Sequence, residues 1–261
     1  MSILWRTADV SLPRLSCTTS LWSEPHNDFA AMTFWHPKTL APTISNLILD
    51  WVERSVVLII FGYFVARMMP RLAQLLIIQM NHPELILRAA GISAQAALLI
   101  VSELLSVILI LARRPSPSLS SYPFDWALCF LAITLPLLVV PAPAGRLMPP
   151  EVATALMLAG LMIQITAKLA LWRSFGIVPA NRGIKASGPY RLLRHPMYAG
   201  YMVTHVGFLL GFPSLHNTLL YGAAIVMQIG RLLREESLLS RDPAYRVYAG
   251  QVKYRLIPGL Y

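Results

Sequence analysis

Charge is scarce in this chain. Only 13% of its 261 residues are charged, whereas 56% are hydrophobic, and the mean hydropathy is +0.58. An ordinary soluble domain carries about 25% charged residues, so this composition excludes a globule surrounded by water. Apolar side chains in such quantity, gathered in long runs, point to a bilayer as solvent. Acids are scarcer still: 12 Asp and Glu stand against 22 Lys and Arg, a formal net charge of +10. In a membrane protein that excess marks cytosolic loops held against anionic headgroups. The basic residues sit at the ends of apolar runs without a nucleic-acid-binding motif, so no nucleic-acid partner is expected. Cysteine is nearly absent. Cys17 and Cys129 make no disulfide framework, and Cys129, inside an apolar run, reads as a small buried hydrophobe. The first 30 residues also lack a continuous apolar stretch, being interrupted by Arg6, Asp9, Arg14, Glu24 and Asp28. A cleaved signal peptide is therefore not expected, and the first span would direct the chain to the membrane.

What is present is a series of apolar runs. Residues 1–43 form a polar tail in which Phe34 and Trp35 could rest at headgroup level. Residues 44–172 hold about four spans: 44–69, 89–112, 126–140 and 152–172, with a separate interfacial helix over 72–80. Asp50, Glu53 and Arg54 are expected where the first helix meets water. Residues 173–261 differ. A polar loop, 173–196, carries Arg173, Arg182, Lys185, Arg191 and Arg194 and no acid. Two apolar pieces, 197–212 and 215–230, split by Pro213, predict a helical hairpin, and a basic tail follows. The positive-inside rule places the loop and the tail on one cytosolic side, with an even number of crossings between them. The expected fold is thus an all-α integral membrane bundle. Its C-terminal part is a hairpin with a cytosolic cofactor-binding loop and tail.

Chemistry concentrates in Gly188-Pro-Tyr-Arg-Leu-Leu-Arg-His-Pro-Met-Tyr-Ala-Gly200. Gly188 and Pro189 make a turn. Pro196 starts a helix, because its missing N–H would be unpaired there anyway, and this puts His195 at the N-cap beside a positive helix end. Arg194 offers a planar fork for a carboxylate. Tyr190 and Tyr198 offer aromatic faces and hydroxyls, and Gly200 and Gly207 leave room for close approach of another helix or a ligand. Glu235-Glu236 closes the second hairpin arm, so the hairpin returns these acids to the face that carries 190–198. A headgroup belt of basic and aromatic residues, with arginines paired to the glutamates along one helix, is the competing reading. Glu103 lies mid-span, where a carboxylate is costly and faces the bundle interior or a wet cavity. Gln164 and Lys168 are of the same kind.

These residues, with Arg173-Ser-Phe-Gly-Ile-Val-Pro-Ala-Asn-Arg-Gly183, Asp242-Pro-Ala-Tyr-Arg-Val-Tyr248 and Arg255-Leu-Ile-Pro-Gly-Leu-Tyr261, resemble the isoprenylcysteine carboxyl methyltransferase and phospholipid methyltransferase superfamily, in its bacterial-type members. The resemblance covers residues 168–261. It implies S-adenosylmethionine as cofactor, with Gly188, Tyr190, Arg194, His195, Pro196, Tyr198, Gly200, Glu235 and Glu236 around it. His195, Arg194 and Glu103 are the candidate catalytic residues, and no metal is implied. The acceptor would be lipophilic or lipid-modified, bearing a carboxylate or a lipid amine, and would enter from surrounding membrane lipids. The expected location is a bacterial inner membrane with the site facing the cytosol. A sterol-type reductase using NADPH has a similar Arg-His-x-x-Tyr motif, but the Cys- and Lys-Tyr-Gly-containing signature of that group is absent here. A non-catalytic membrane scaffold is the remaining alternative.

Overall fold

A computed structural model describes residues 42–82, 86–141 and 147–260. The N-terminal aromatic pair at 34–35 and Cys17 lie outside them, as does most of the loop after residue 141. Among the described residues, seven α-helices follow one another: α1 (Ile44–Asn81), α2 (Ile86–Ala112), α3 (Pro123–Thr134), α4 (Pro150–Leu171), α5 (Pro196–Gly211), α6 (Leu215–Leu239) and α7 (Pro243–Gln251). Among the described residues the only strand pairing is an isolated bridge between Leu119 and Ala180.

Among the described residues, three helices are long and apolar enough to cross a membrane: Ile44–Asn81, Gly91–Ala112 and Pro150–Ser174. The run expected over 126–140 is shorter as a helix. It has 12 α-helical residues continued by the 3-10 turn Leu135–Leu138. Pro136 explains the change, since it has no N–H to return to the carbonyl of Ala132. The first helix corrects the sequence reading in two ways. It is a single element of 38 residues running through Pro70, with no break before 72–80. At 1.5 Å per residue it is roughly 57 Å long and outreaches the ~30 Å hydrocarbon core. Proline is tolerated within such helices because breaking the chain in lipid would expose still more backbone polar groups. In addition, Asp50, Glu53 and Arg54 do not meet water: they are 3%, 0% and 8% exposed.

The hairpin has the expected form. α5 begins at Pro196, α6 begins after the Ser214 cap, whose hydroxyl accepts from Asn217 N–H. α5 packs closely on α4. A Cβ at Gly200 would lie 2.8 Å from the backbone oxygen of Gly160, and one at Gly207 would lie 2.9 Å from the backbone N of Met157. Small residues thus let two backbones approach, the usual device of helices packed in lipid. Gln164 Nε2 donates to Thr204 Oγ1 across the same seam at 2.9 Å. At the hairpin tip Asn217 exchanges hydrogen bonds with the backbone of Val140.

Ion pairs show which helix ends share one end of the bundle. Asp50 and Glu53 near the start of α1 pair with Arg113 just after α2. Asp125 at the start of α3 pairs with Arg234 near the end of α6. The loop after α4 lies there too, because Glu53 accepts from Ile177 N–H at 2.8 Å and Val178 N–H at 3.0 Å, and the start of α5 joins the end of α6 through His195 and Glu236. The basic loop and the tail therefore occupy one end of the molecule.

Candidate active site at the loop end of the hairpin

The start of α5 organises this end. His195 is the N-cap residue and Pro196 the first helical residue. The chain returning from α7 satisfies the backbone just before the helix: Arg194 N–H donates to Tyr254 O at 2.9 Å, and His195 N–H to Arg255 O at 3.0 Å. α7 is itself capped by Asp242, whose carboxylate accepts from Ala244 N–H. Its buried face presents Tyr245 and Tyr248, and Tyr248 Oη donates to the carbonyl of Tyr190 at 2.8 Å.

Glu236 is the hub. One of its oxygens lies 2.9 Å from Arg194 Nη1, 3.2 Å from His195 Nε2 and 3.2 Å from Tyr245 Oη. The other accepts from Arg255 Nε at 2.7 Å. Burial by itself would raise this carboxyl. The hydrogen bond from His195 and the charges of His195, Arg194 and Arg255 outweigh it and hold the group at about 2. Burial, and then the Glu236 charge, push the Tyr245 hydroxyl up, so it stays a neutral donor.

Glu235 faces differently. Its Oε2 accepts from Tyr198 Oη at 2.7 Å, and its side chain lines a cavity of about 70 Å³. Tyr190, Arg194, His195, Tyr198 and Tyr245 share that lining, and residues 176–185 of the loop roof it. Arg194 Nε is buried with no hydrogen-bond partner among the described residues. Arg231, one turn before Glu235, is 1% exposed. Its guanidinium lies 5.2 Å from the centre of the Tyr198 ring and donates to Gly176 O at 3.1 Å.

The sequence candidates thus separate. Tyr190, Arg194, His195, Tyr198 and Glu235 meet around the cavity, and Glu236 locks the residues behind it. Gly188 has φ +58 and makes the turn into the short 3-10 segment Gly188–Arg191. Gly200 faces α4 and serves helix packing. Pro196 is buried at the helix start. Glu103 is not brought to this cluster. It lies 3.6 Å from Lys168 Nζ and lines a second, larger cavity between the helices.

Sequence reasoning missed Arg255, Tyr245, Arg231 and Glu53. Arg255 and Tyr245 stand in motifs that the resemblance includes, but only the return of the tail reveals their contact with Glu236. Glu53 is expected at the water boundary from sequence alone. Instead it anchors the cavity roof, accepting from Ile177 and Val178 and lying 3.3 Å from Arg182 Nη2. Burial lowers the Arg182 guanidinium to about 10, with Glu53 opposing that shift, so it remains a cation at neutral pH.

Residues 151–244, from the start of α4 to the start of α7, match the family model of phospholipid methyltransferase. No curated protein matches the chain.

Proposed function

We propose that the chain transfers a methyl group from S-adenosylmethionine to a lipophilic acceptor, a reading supported by the match of residues 151–244 to the phospholipid methyltransferase family model and by helices long and apolar enough to cross a membrane. The observation that carries this reading is the placement of Glu235 opposite Tyr198 in a cavity that also presents Arg194. A carboxylate suits the ammonium or ribose hydroxyls of such a cofactor. The partnerless Arg194 Nε suits its carboxylate. The absence of the Cys- and Lys-Tyr-Gly-containing signature of the sterol-type group argues against a nicotinamide reductase. The intact cluster around Glu236 argues against a scaffold that has lost its site.

The cofactor brings its methyl already activated on a sulfonium. The protein's task is then to bind, orient and exclude water. Tyr190, Tyr198 and Tyr245 supply aromatic walls, Glu235 and Arg194 supply charge of each sign, and residues 176–185 keep bulk water out. His195 is engaged with Glu236 at 3.2 Å. We assign it a positioning role: it holds the start of α5 and the Glu236 carboxylate in register. A cavity of about 70 Å³ is below the roughly 300 Å³ typical of small-molecule sites, so loading requires the cavity to widen. An acceptor bearing a carboxylate needs no base, because it is ionised at neutral pH. A lipid amine must first lose a proton. The basic end of the bundle is assigned to the cytosolic side of a bacterial inner membrane, by the positive-inside rule.

Incubating the purified protein with S-adenosylmethionine labelled in the methyl group, together with a membrane lipid extract, tests the activity. Label should enter the organic-soluble fraction, and Glu235→Gln should reduce the rate by at least about tenfold. No transfer into lipid or lipid-modified acceptors by the folded protein would refute the reading.

A further inference from the structure

The second cavity, about 360 Å³, lies between the helices and is predominantly apolar. This volume falls within the roughly 300–1,000 Å³ of small-molecule sites. It sits away from the cluster around Glu236. Gln228, in its lining, precedes Glu235 by seven residues on α6, about 10 Å of helix rise. His205 follows His195 by ten residues on α5, about 15 Å.

Two lining side chains have unmet hydrogen-bonding capacity. Gln228 is 2% exposed and His205 is 4% exposed. Gln228 Oε1 and His205 Nδ1 have no hydrogen-bond partner among the described residues. The orientation of the Gln228 amide is fixed by α3: its Nε2 donates to Ala132 O at 3.3 Å, the carbonyl that Pro136 leaves without its helical N–H. The oxygen of that amide is therefore the end still seeking a donor. His205 is held by the Tyr221 ring, 4.3 Å away between centroids.

Electrostatics narrows the occupant further. Glu103 lines the cavity and is already paired with Lys168, which is fully buried and held by Ser102 O and Oγ. That pair is neutral as a unit. Arg71, the other charged residue in the lining, is exposed at the rim. An ammonium added inside would leave a net positive charge at membrane depth, and a carboxylate or phosphate would leave a net negative one beside Glu103. Either is costly where water is absent.

We infer that this cavity binds a neutral lipophile carrying a hydroxyl group, whose O–H donates to Gln228 Oε1 and whose oxygen can accept from a His205 ring N–H. The inference rests on the cavity alone and holds whichever molecule receives the methyl group.

The test titrates the detergent-solubilised full chain, without cofactor, with tetradecanol, tetradecylamine or myristate, and reads retained ligand by native mass spectrometry. Tetradecanol should bind one per chain and about tenfold more tightly than either charged analogue. Gln228→Leu, similar in size but without the acceptor, should weaken tetradecanol by about tenfold. His205→Phe should weaken it too, and either variant suffices if the other misfolds. Equal retention of the three probes, preference for the amine or the acid, or full tetradecanol affinity in a folded variant would each overturn the assignment. Cofactor binding, measured separately, would be untouched by that failure.

Discussion

At the scale of single residues, Glu236 and its neighbour Glu235 divide the labour. Glu236 receives Arg194, His195, Tyr245 and Arg255 and so fixes the geometry, while Glu235 keeps one tyrosine contact and faces the cavity. Glu236→Gln keeps the shape but removes the charge that three cationic or imidazole groups share. It should destabilise the folded protein by about 2 kcal/mol, measured by thermal unfolding in detergent. The pH dependence follows from the same carboxyl. Its ordinary value of 4.5 is lowered to about 2 in the folded chain, so its contribution is complete above about pH 4.5 and is lost as the pH falls toward 2. The melting temperature of the native protein should drop through that window, and that of Glu236→Gln should drop less steeply. Parallel curves would show that Glu236 is not the group responsible.

At the scale of elements, the relation between α1 and the cavity roof is the informative one. α1 lies outside the family-matched residues, yet its Glu53 takes two backbone N–H groups of the roof. Glu53→Gln leaves Arg113 and Arg182 with Asp50 as their remaining shared anion and weakens the hold on residues 176–182. Affinity for S-adenosylhomocysteine should fall about tenfold in the folded protein. A drop in melting temperature with unchanged affinity would assign Glu53 to stability alone. The α4–α5 seam gives a different expectation. Gly200→Val would force a side chain against the Gly160 carbonyl and should cost about 3 kcal/mol by overpacking, read by thermal unfolding.

These elements also show what the sequence could reveal. The start of α5 was legible because Arg-His-Pro sets a helix N-terminus by local chemistry, and the hairpin followed from Pro213 between two apolar runs. The burial of Asp50, Glu53 and Arg54 was not legible. Their partner Arg113 lies 60 positions beyond Glu53 and Arg182 lies 129 beyond it, and no local pattern encodes such pairings. The unbroken helix through Pro70 was missed for a related reason: a proline reads as a stop in water, whereas a bilayer penalises the alternative. The contact of Arg255 with Glu236 depended on the tail folding back, which spacing alone does not specify.

At the scale of the whole molecule, ion pairs and loop contacts bring the start of α1, the ends of α2 and α4, the starts of α3 and α5, and the end of α6 to one end. The assigned orientation predicts labelling by a membrane-impermeant maleimide in intact cells, in a Cys17→Ser, Cys129→Ser background. Leu215→Cys, at the opposite end, should react, and Arg241→Cys should be protected until the membrane is opened. The reverse pattern would invert the assigned topology without altering the site.

The proposed function requires the cavity beside Tyr198 and Glu235 to be a site for S-adenosylmethionine. Titration calorimetry of S-adenosylhomocysteine into the detergent-solubilised protein tests it most directly. One site per chain is expected, with affinity reduced about tenfold by Glu235→Gln and no heat from NADPH. Binding of NADPH without S-adenosylhomocysteine, or affinity indifferent to Glu235→Gln, would contradict it.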